Sequence, residues 1–93
     1  MTVKILIKRQ VTDSSIEKLD NLLRRMRSAC LRQSGYISGE TLKRLDQPGE
    51  FLVISIWESL EAWEHWFKSA DRSEIQFEID DLLGEETRYE IYG

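Results

Sequence analysis

Phe51-Leu52-Val53-Ile54-Ser55-Ile56-Trp57-Glu58-Ser59-Leu60-Glu61-Ala62-Trp63-Glu64-His65-Trp66-Phe67 is the stretch that decides the fold. It opens as an apolar run and changes at Glu58-Ser59 into apolar residues at helical spacing. All three tryptophans of the chain lie inside it. Phe51 to Trp57 is rich in β-branched and aromatic residues and reads as a strand. Phe51, Val53 and Trp57 point one way; Leu52, Ile54 and Ile56 point the other. Only Ser55 interrupts the run, so both faces of this strand require cover. Ser59 is placed to cap a helix running to about Phe67 or Ser69. On that helix Leu60, Trp63 and Phe67 form the centre of the apolar face. Ala62 and Trp66 flank it, and Glu61, His65 and Lys68 lie on the polar side.

Moving outward, Asp46-Gln47-Pro48-Gly49-Glu50 precedes the strand with Pro before Gly, as a type II turn prefers. A hairpin follows, joining the strand to an antiparallel partner over Tyr36 to Leu45 that Gly39 interrupts. Further upstream, Val3, Ile5 and Ile7 alternate with Lys4, Leu6 and Lys8 as a first strand. Ser14 and Glu17 match a capping box. From there Ile16, Leu19, Leu23, Met26 and Cys30 repeat at helical spacing, widened by Leu22 and Ala29, and Gly35 is placed to end the helix. Downstream, Asp71 with Glu74 offers a helix start, and Ile75, Ile79 and Leu82 mark a third helix closed by Gly84. Thr87 to Tyr92 alternates as a last strand.

Ninety-three residues suffice for one domain, taken as 1–93, with a modest core. The net charge of −4 argues against nucleic acid, whose phosphates call for a clustered basic surface. Arg24, Arg25, Arg27 and Arg32 at helical spacing read as a solvated flank. Cys30 is the single cysteine and reads as a small buried hydrophobe. No apolar run approaches the ~18 residues of a membrane span, so no membrane partner is expected. The first residues alternate like a strand and lack a small-residue cleavage site, which leads to the expectation of a cytoplasmic protein. No histidine or cysteine cluster, Gly-rich phosphate loop or nucleophile elbow is present, and no metal or other cofactor is expected.

The order β-α-β-β-α-α-β fits an α+β, ferredoxin-like sandwich with helices on one face of a four-stranded antiparallel sheet. The helices cover one face of the third strand. A second copy of the chain, sheet against sheet, is the expected cover for the other, giving a homodimer.

Gly35-Tyr36-Ile37-Ser38-Gly39-Glu40-Thr41, then Glu50 through Trp57, then Ser59-Leu60-Glu61-Ala62-Trp63-Glu64-His65-Trp66 resembles the antibiotic biosynthesis monooxygenase (ABM) domain over nearly the whole chain. The resemblance implies a dimeric α+β barrel with a pocket between sheet and helices in each subunit. Members of that family include cofactor-free quinone-forming oxygenases and haem-degrading enzymes. The haem-degrading pattern has an asparagine on the first strand, a tryptophan before a Lys-Ser-like helix end and a histidine ten residues later. Trp66-Phe67-Lys68-Ser69 matches its tryptophan, but Gln76 stands at the histidine and Lys8 at the asparagine, which disfavours haem degradation. The quinone-forming pattern matches at Trp57, with Val53 where those members carry asparagine.

Trp66 and Phe77 stand off the main helical stripes and are the candidates to line a cavity, with Trp57 closing it from the sheet side and Tyr36 offering a phenol. Cofactor-free oxygenation of a phenol needs a proton acceptor and a dry pocket for the resulting anion. His65 and the carboxylates are the available bases, and Arg72 or Arg88 the anion stabilisers. His65 also fits as an exposed helix residue between Glu61 and Lys68. Three functions remain open. The first is a monooxygenase acting without cofactor on a small aromatic or quinol-type molecule. The second is a non-catalytic small-molecule binding or sensing module. The third is a haem-binding or haem-degrading protein.

Overall fold

A computed structural model describes residues 2–93. Its elements are β1 (Val3–Gln10), a single 3-10 turn (Asp13–Ser15), α1 (Ile16–Leu31), β2 (Tyr36–Lys43), β3 (Glu50–Trp57), α2 (Leu60–Phe67), α3 (Ala70–Leu83) and β4 (Tyr89–Tyr92). The four strands form one sheet in the order β2-β3-β1-β4, every neighbouring pair antiparallel. This is the expected ferredoxin-like α+β arrangement. β3 lies in the centre because its two apolar faces leave it no favourable position at an edge.

The register fixes which side chains meet the helices. Val3, Ile5, Ile7 and Arg9 stand opposite Trp57, Ser55, Val53 and Phe51. Val3, Ile5, Phe51 and Trp57 are buried together with Leu19, Ala29 and Cys30 of α1, Trp63 and Trp66 of α2, and Ile75 and Ile79 of α3. A fully buried aliphatic side chain contributes about 1.5–3 kcal/mol, so Ile5, Leu19 and Ile79, all at 0% exposure, are principal supports of this core. On the opposite face Leu6, Leu52, Ile54 and Ile56 are half-buried, and Leu42 is exposed.

Local signals are met at most element ends. Ser59 and Ser69 accept hydrogen bonds from the backbone N–H of Ala62 and Arg72, at 3.1 and 3.3 Å. Gly84 ends α3 in the left-handed region at φ 72°. Glu50 N–H donates to Gln47 O across Pro48-Gly49, with Gly49 at φ 94°, as a type II turn requires.

Two expectations are corrected. The capping box at Ser14 and Glu17 does not form. Ser14 and Ser15 lie in the 3-10 turn, and α1 starts at Ile16 without a side-chain cap. α1 also stops at Leu31, short of Gly35. The glycine instead lets β2 start beneath α2. Its φ is 89°, and a Cβ there would collide with the Ala62 side chain.

Candidate functional site

A cavity of about 300 Å³ lies between the helix-facing side of the sheet and the helices. That is the lower end of the range for small-molecule pockets. Its lining residues that remain solvent-exposed, Arg24 and Arg27 of α1 with Glu40 and Thr41 of β2, mark its mouth. Ile5, Ile7 and Val53 form an apolar floor, and Trp63 and Trp66 a wall.

Aromatic packing sets that wall. Trp57 is fully buried and stacks on Trp66 at 6.1 Å between ring centroids, while Tyr36 meets Trp57 edge-on at 5.2 Å. The ring of Tyr36 has room because β2 has an irregular register between Tyr36 and Ser38 and because Gly39 lacks a side chain. The Tyr36 hydroxyl occupies the place where a Cβ on Gly39 would lie. Ser55, the polar break in the apolar run of β3, accepts the indole N–H of Trp57 at 3.2 Å. A buried indole needs such a partner, which accounts for the break in the apolar run.

The buried end is polar. Arg72 donates through Nη1 to Phe67 O at 3.0 Å and through Nη2 to the Tyr89 hydroxyl. Tyr89 in turn donates to Gln76 Oε1 at 3.2 Å, and Gln76 Nε2 donates to Asp80 Oδ1 at 2.8 Å and Thr87 Oγ1 at 2.6 Å. Thr87 completes the set by donating to Asp80 at 2.9 Å. Arginine can only donate and an ionised carboxylate can only accept, so the chain of protons runs one way, from Arg72 to Asp80. The Arg72 guanidinium also stacks over Phe67 at 4.1 Å and lies 5.3 Å from the Tyr89 ring centroid, a cation–π arrangement that holds it in place.

Beside this network Arg9 lines the cavity, 4% exposed, with no acceptor for its Nε proton among the described residues. Burial pushes its pKa down; Tyr89 and Asp80 pull it partly back, and Arg72 adds a smaller push downward. Cys30 also lines the cavity, and burial pushes its thiol up to about 12. It stays protonated and unreactive at neutral pH.

The structure brings together Tyr36, Trp57 and Trp66, the first and last on the cavity surface and Trp57 behind them. Phe77 lies elsewhere. It is 72% exposed on the outer side of α3, beside Lys18, Asn21 and Leu22 of α1. His65 is exposed on α2 and does not line the cavity. α2 is rotated from the expected face. Trp63 and Trp66 are buried, whereas Leu60 and Phe67 are 40% and 36% exposed, because Trp66 turns inward to stack on Trp57. Of the two anion-stabiliser candidates Arg72 faces the cavity, while Arg88 is exposed in the segment before β4. Lys8 cannot take the place of a cavity asparagine, since it lies on the far face paired with Glu90 at 4.0 Å. A one-residue shift along a strand reverses its face, and the cavity positions are Ile7 and Arg9.

Arg9, Tyr89 and Asp80 escape a reading by sequence patterns. For Arg9 a signal exists. Val3, Ile5, Ile7, Arg9 and Val11 share one parity, and all but Ile7 are buried, so a charge stands in an apolar series.

A sequence comparison with curated proteins gives no match. Among solved structures, a conserved protein from Methanosarcina mazei Go1 superposes with a TM-score of 0.90 at 21% identity, covering 99% of this chain and 91% of that one. A mutant of SnoaB, a cofactor-independent oxygenase from Streptomyces nogalater, gives 0.88 at 13% identity, with 99% and 91% covered. A protein of Mycobacterium tuberculosis gives 0.86 at 16% identity, with 100% and 94% covered. These likenesses establish the fold. The family model for antibiotic biosynthesis monooxygenase matches residues 2–76, from β1 into the middle of α3, and the chain belongs to that family.

Proposed function

We propose that the protein binds a small aromatic molecule, of the phenol or hydroquinone type, in the cavity between sheet and helices and oxygenates it without metal or flavin. The observation that carries this reading is a cavity of about 300 Å³ with two tryptophans in its wall and a guanidinium, Arg72, at its buried end. Trp66 and Trp63 would hold the ring by stacking. Removal of a phenolic proton leaves an electron-rich anion, the form that can pass electrons to oxygen. A cation in a dry site favours that anion and so lowers the cost of forming it. SnoaB, similar in fold, is a cofactor-independent oxygenase.

A second reading is a binding or sensing module with no turnover, and the placement of the bases favours it. His65 lies outside the cavity, Asp80 already accepts hydrogen bonds from Gln76 and Thr87, and of the lining carboxylates Glu40 is exposed at the mouth and Asp20 is only half-buried. Gln76 is engaged at both ends of its amide, which leaves it unfitted as an iron ligand and argues against haem chemistry. In either reading the protein acts in the cytoplasm as a homodimer, the half-buried Leu6, Leu52, Ile54 and Ile56 of each sheet covering those of the other. Among the described residues no helix is long and apolar enough to cross a membrane.

Oxygen uptake separates the two readings. A panel of hydroquinones and polyphenols should give uptake above the buffer blank that falls at least about tenfold in Trp66→Phe. Saturable binding without uptake would leave only the module. Failure of the whole panel to bind would remove both.

A further inference from the structure

We propose that the ligand of this cavity carries a carboxylate, and that Arg9 is the residue that receives it, with Arg72 reinforcing the positive field. The inference rests on the cavity being a ligand site and adds the chemical class of what enters it. A buried guanidinium in a folded protein is nearly always paired, because an uncompensated charge in a poorly polarisable interior is costly. Arg9 departs from this. Among the described residues it takes part in no ion pair and no side-chain hydrogen bond, and its Nε–H is buried with nothing to receive the proton.

The surroundings make the deficit specific. Arg9 stands on the helix-facing side of β1, where its pairing partner in β3 is Phe51. Asp80 is already held by Gln76 and Thr87, and neither it nor the carboxylates that line the cavity, Asp20 and Glu40, forms an ion pair with Arg9. Arg72 brings a second positive charge to the same cavity, and its own bonds go to neutral oxygens, Phe67 O and the Tyr89 hydroxyl. Two guanidiniums therefore face one small space, and among the described residues no carboxylate is bonded to either. Of the Arg9 nitrogens only Nε lacks accessible surface, so the two Nη groups are the ones that reach the cavity, and together they form a planar fork matched in width and direction by the two oxygens of a carboxylate. The space in front of it is lined by Ile7, Val53, Trp63 and Trp66 and suits a single ring or a fused pair. An aromatic acid thus meets both demands, the ring against the tryptophans and the carboxylate on the fork. Arg9, Arg72, Arg24 and Arg27 outnumber Asp20 and Glu40 among the lining residues, which leaves a net positive field for an incoming anion.

Isothermal titration of the intact protein with 2-naphthoate and with its neutral isostere 2-naphthamide tests this. The acid should bind at least about tenfold more tightly than the amide, the usual advantage of a charge-assisted bond. Arg9→Met should remove most of that preference by weakening the acid much more than the amide. Equal affinities of acid and amide for the wild type, or an acid preference that survives Arg9→Met, would overturn the carboxylate assignment and leave the cavity as an aromatic site. Absence of binding by both probes would overturn the assignment together with the ligand-site reading beneath it. The wild-type comparison of acid with amide stands even if the variant fails to fold.

Discussion

Replacing Arg9 by Met should make the unliganded protein more stable. The wild-type side chain is 4% exposed and its Nε proton is unmet. An unsatisfied buried donor costs about 1–3 kcal/mol. Exchange of a buried ionic group for an apolar one of similar shape is neutral to stabilising by about 1–4 kcal/mol. Met retains an unbranched stem of comparable reach and removes both the charge and the orphan donor. One loss opposes the gain: Asp80 and Tyr89 attract the guanidinium, and that attraction disappears. Burial outweighs that attraction, so the loss is the smaller effect. The net expectation is a gain of about 1–3 kcal/mol. For a domain of this size each kcal/mol moves Tm by about 4–8 °C, so a rise of at least about 5 °C should appear. Urea unfolding followed by tryptophan fluorescence, at one fixed protein concentration and without ligand, measures it. An unchanged m-value with a midpoint at or below that of the wild type would refute the reasoning. It would mean that the guanidinium is bonded well enough in the free protein to need no ligand.

Three further outcomes follow from the same geometry. Burial raises the Cys30 thiol from an ordinary 9.0 to about 12, so above pH 9 the unfolded chain gives up a proton that the folded one keeps. Stability should therefore be unaffected by this group below pH 9 and fall as pH rises toward 12, by about 1.4 kcal/mol at pH 10. Urea midpoints between pH 8 and 10.5 should show this slope in the wild type and a shallower one in Cys30→Ala; parallel slopes would contradict it. Gly35→Ala should cost about 2–4 kcal/mol, since it combines a left-handed backbone with a collision against Ala62, and a thermal midpoint within 2 °C of wild type would refute the packing described (the smallest expected cost is several times that shift). Ile54→Lys places a charge at the centre of the uncovered sheet face and should convert a dimer into a monomer in sedimentation velocity. A wild type that sediments as a monomer at every concentration would remove the sheet-to-sheet pairing.

The fold was legible because its signals are redundant. The two-sided apolarity of Leu52 to Ile56 places that strand in the centre of a sheet, and the observed order β2-β3-β1-β4 agrees. Ser59 and Gly84 act locally and behave as their types prefer. The signals that failed were those with neighbours in competition. Ser14 and Glu17 have capping chemistry, yet the chain from Val11, tied to Gly49 by a 2.8 Å hydrogen bond, enters α1 through a 3-10 turn that holds both serines. Leu60 and Phe67 fit the helical stripe better than Trp66 does. The stacking surface offered by Trp57 turns the helix so that Trp66 faces inward. A helical periodicity fixes the width of an apolar face and leaves its direction to the partner across the interface.

The site was legible by residue type and only partly by position. Tyr36, Trp57 and Trp66 converge because large rings at strand and helix ends have few other places to go. Phe77 and His65 obey no such constraint, and the fold leaves both on the surface. The cation was hidden for a different reason. In sequence, Lys8-Arg9-Gln10 reads as the polar exit of a strand, where a charge normally reaches water. In the fold, the strand continues beneath the helices, and pairing of Arg9 with Phe51 keeps it on the inner face. The parity of Val3, Ile5, Ile7 and Val11 carries that information, because side chains two apart share a face. What the parity cannot supply is the missing counter-charge. That depends on Asp80 being already bound to Gln76 and Thr87, three residues drawn from α3 and the segment before β4. A local pattern therefore locates the buried charge, and only the assembled network shows that the charge is left without an ion-pair partner among the described residues.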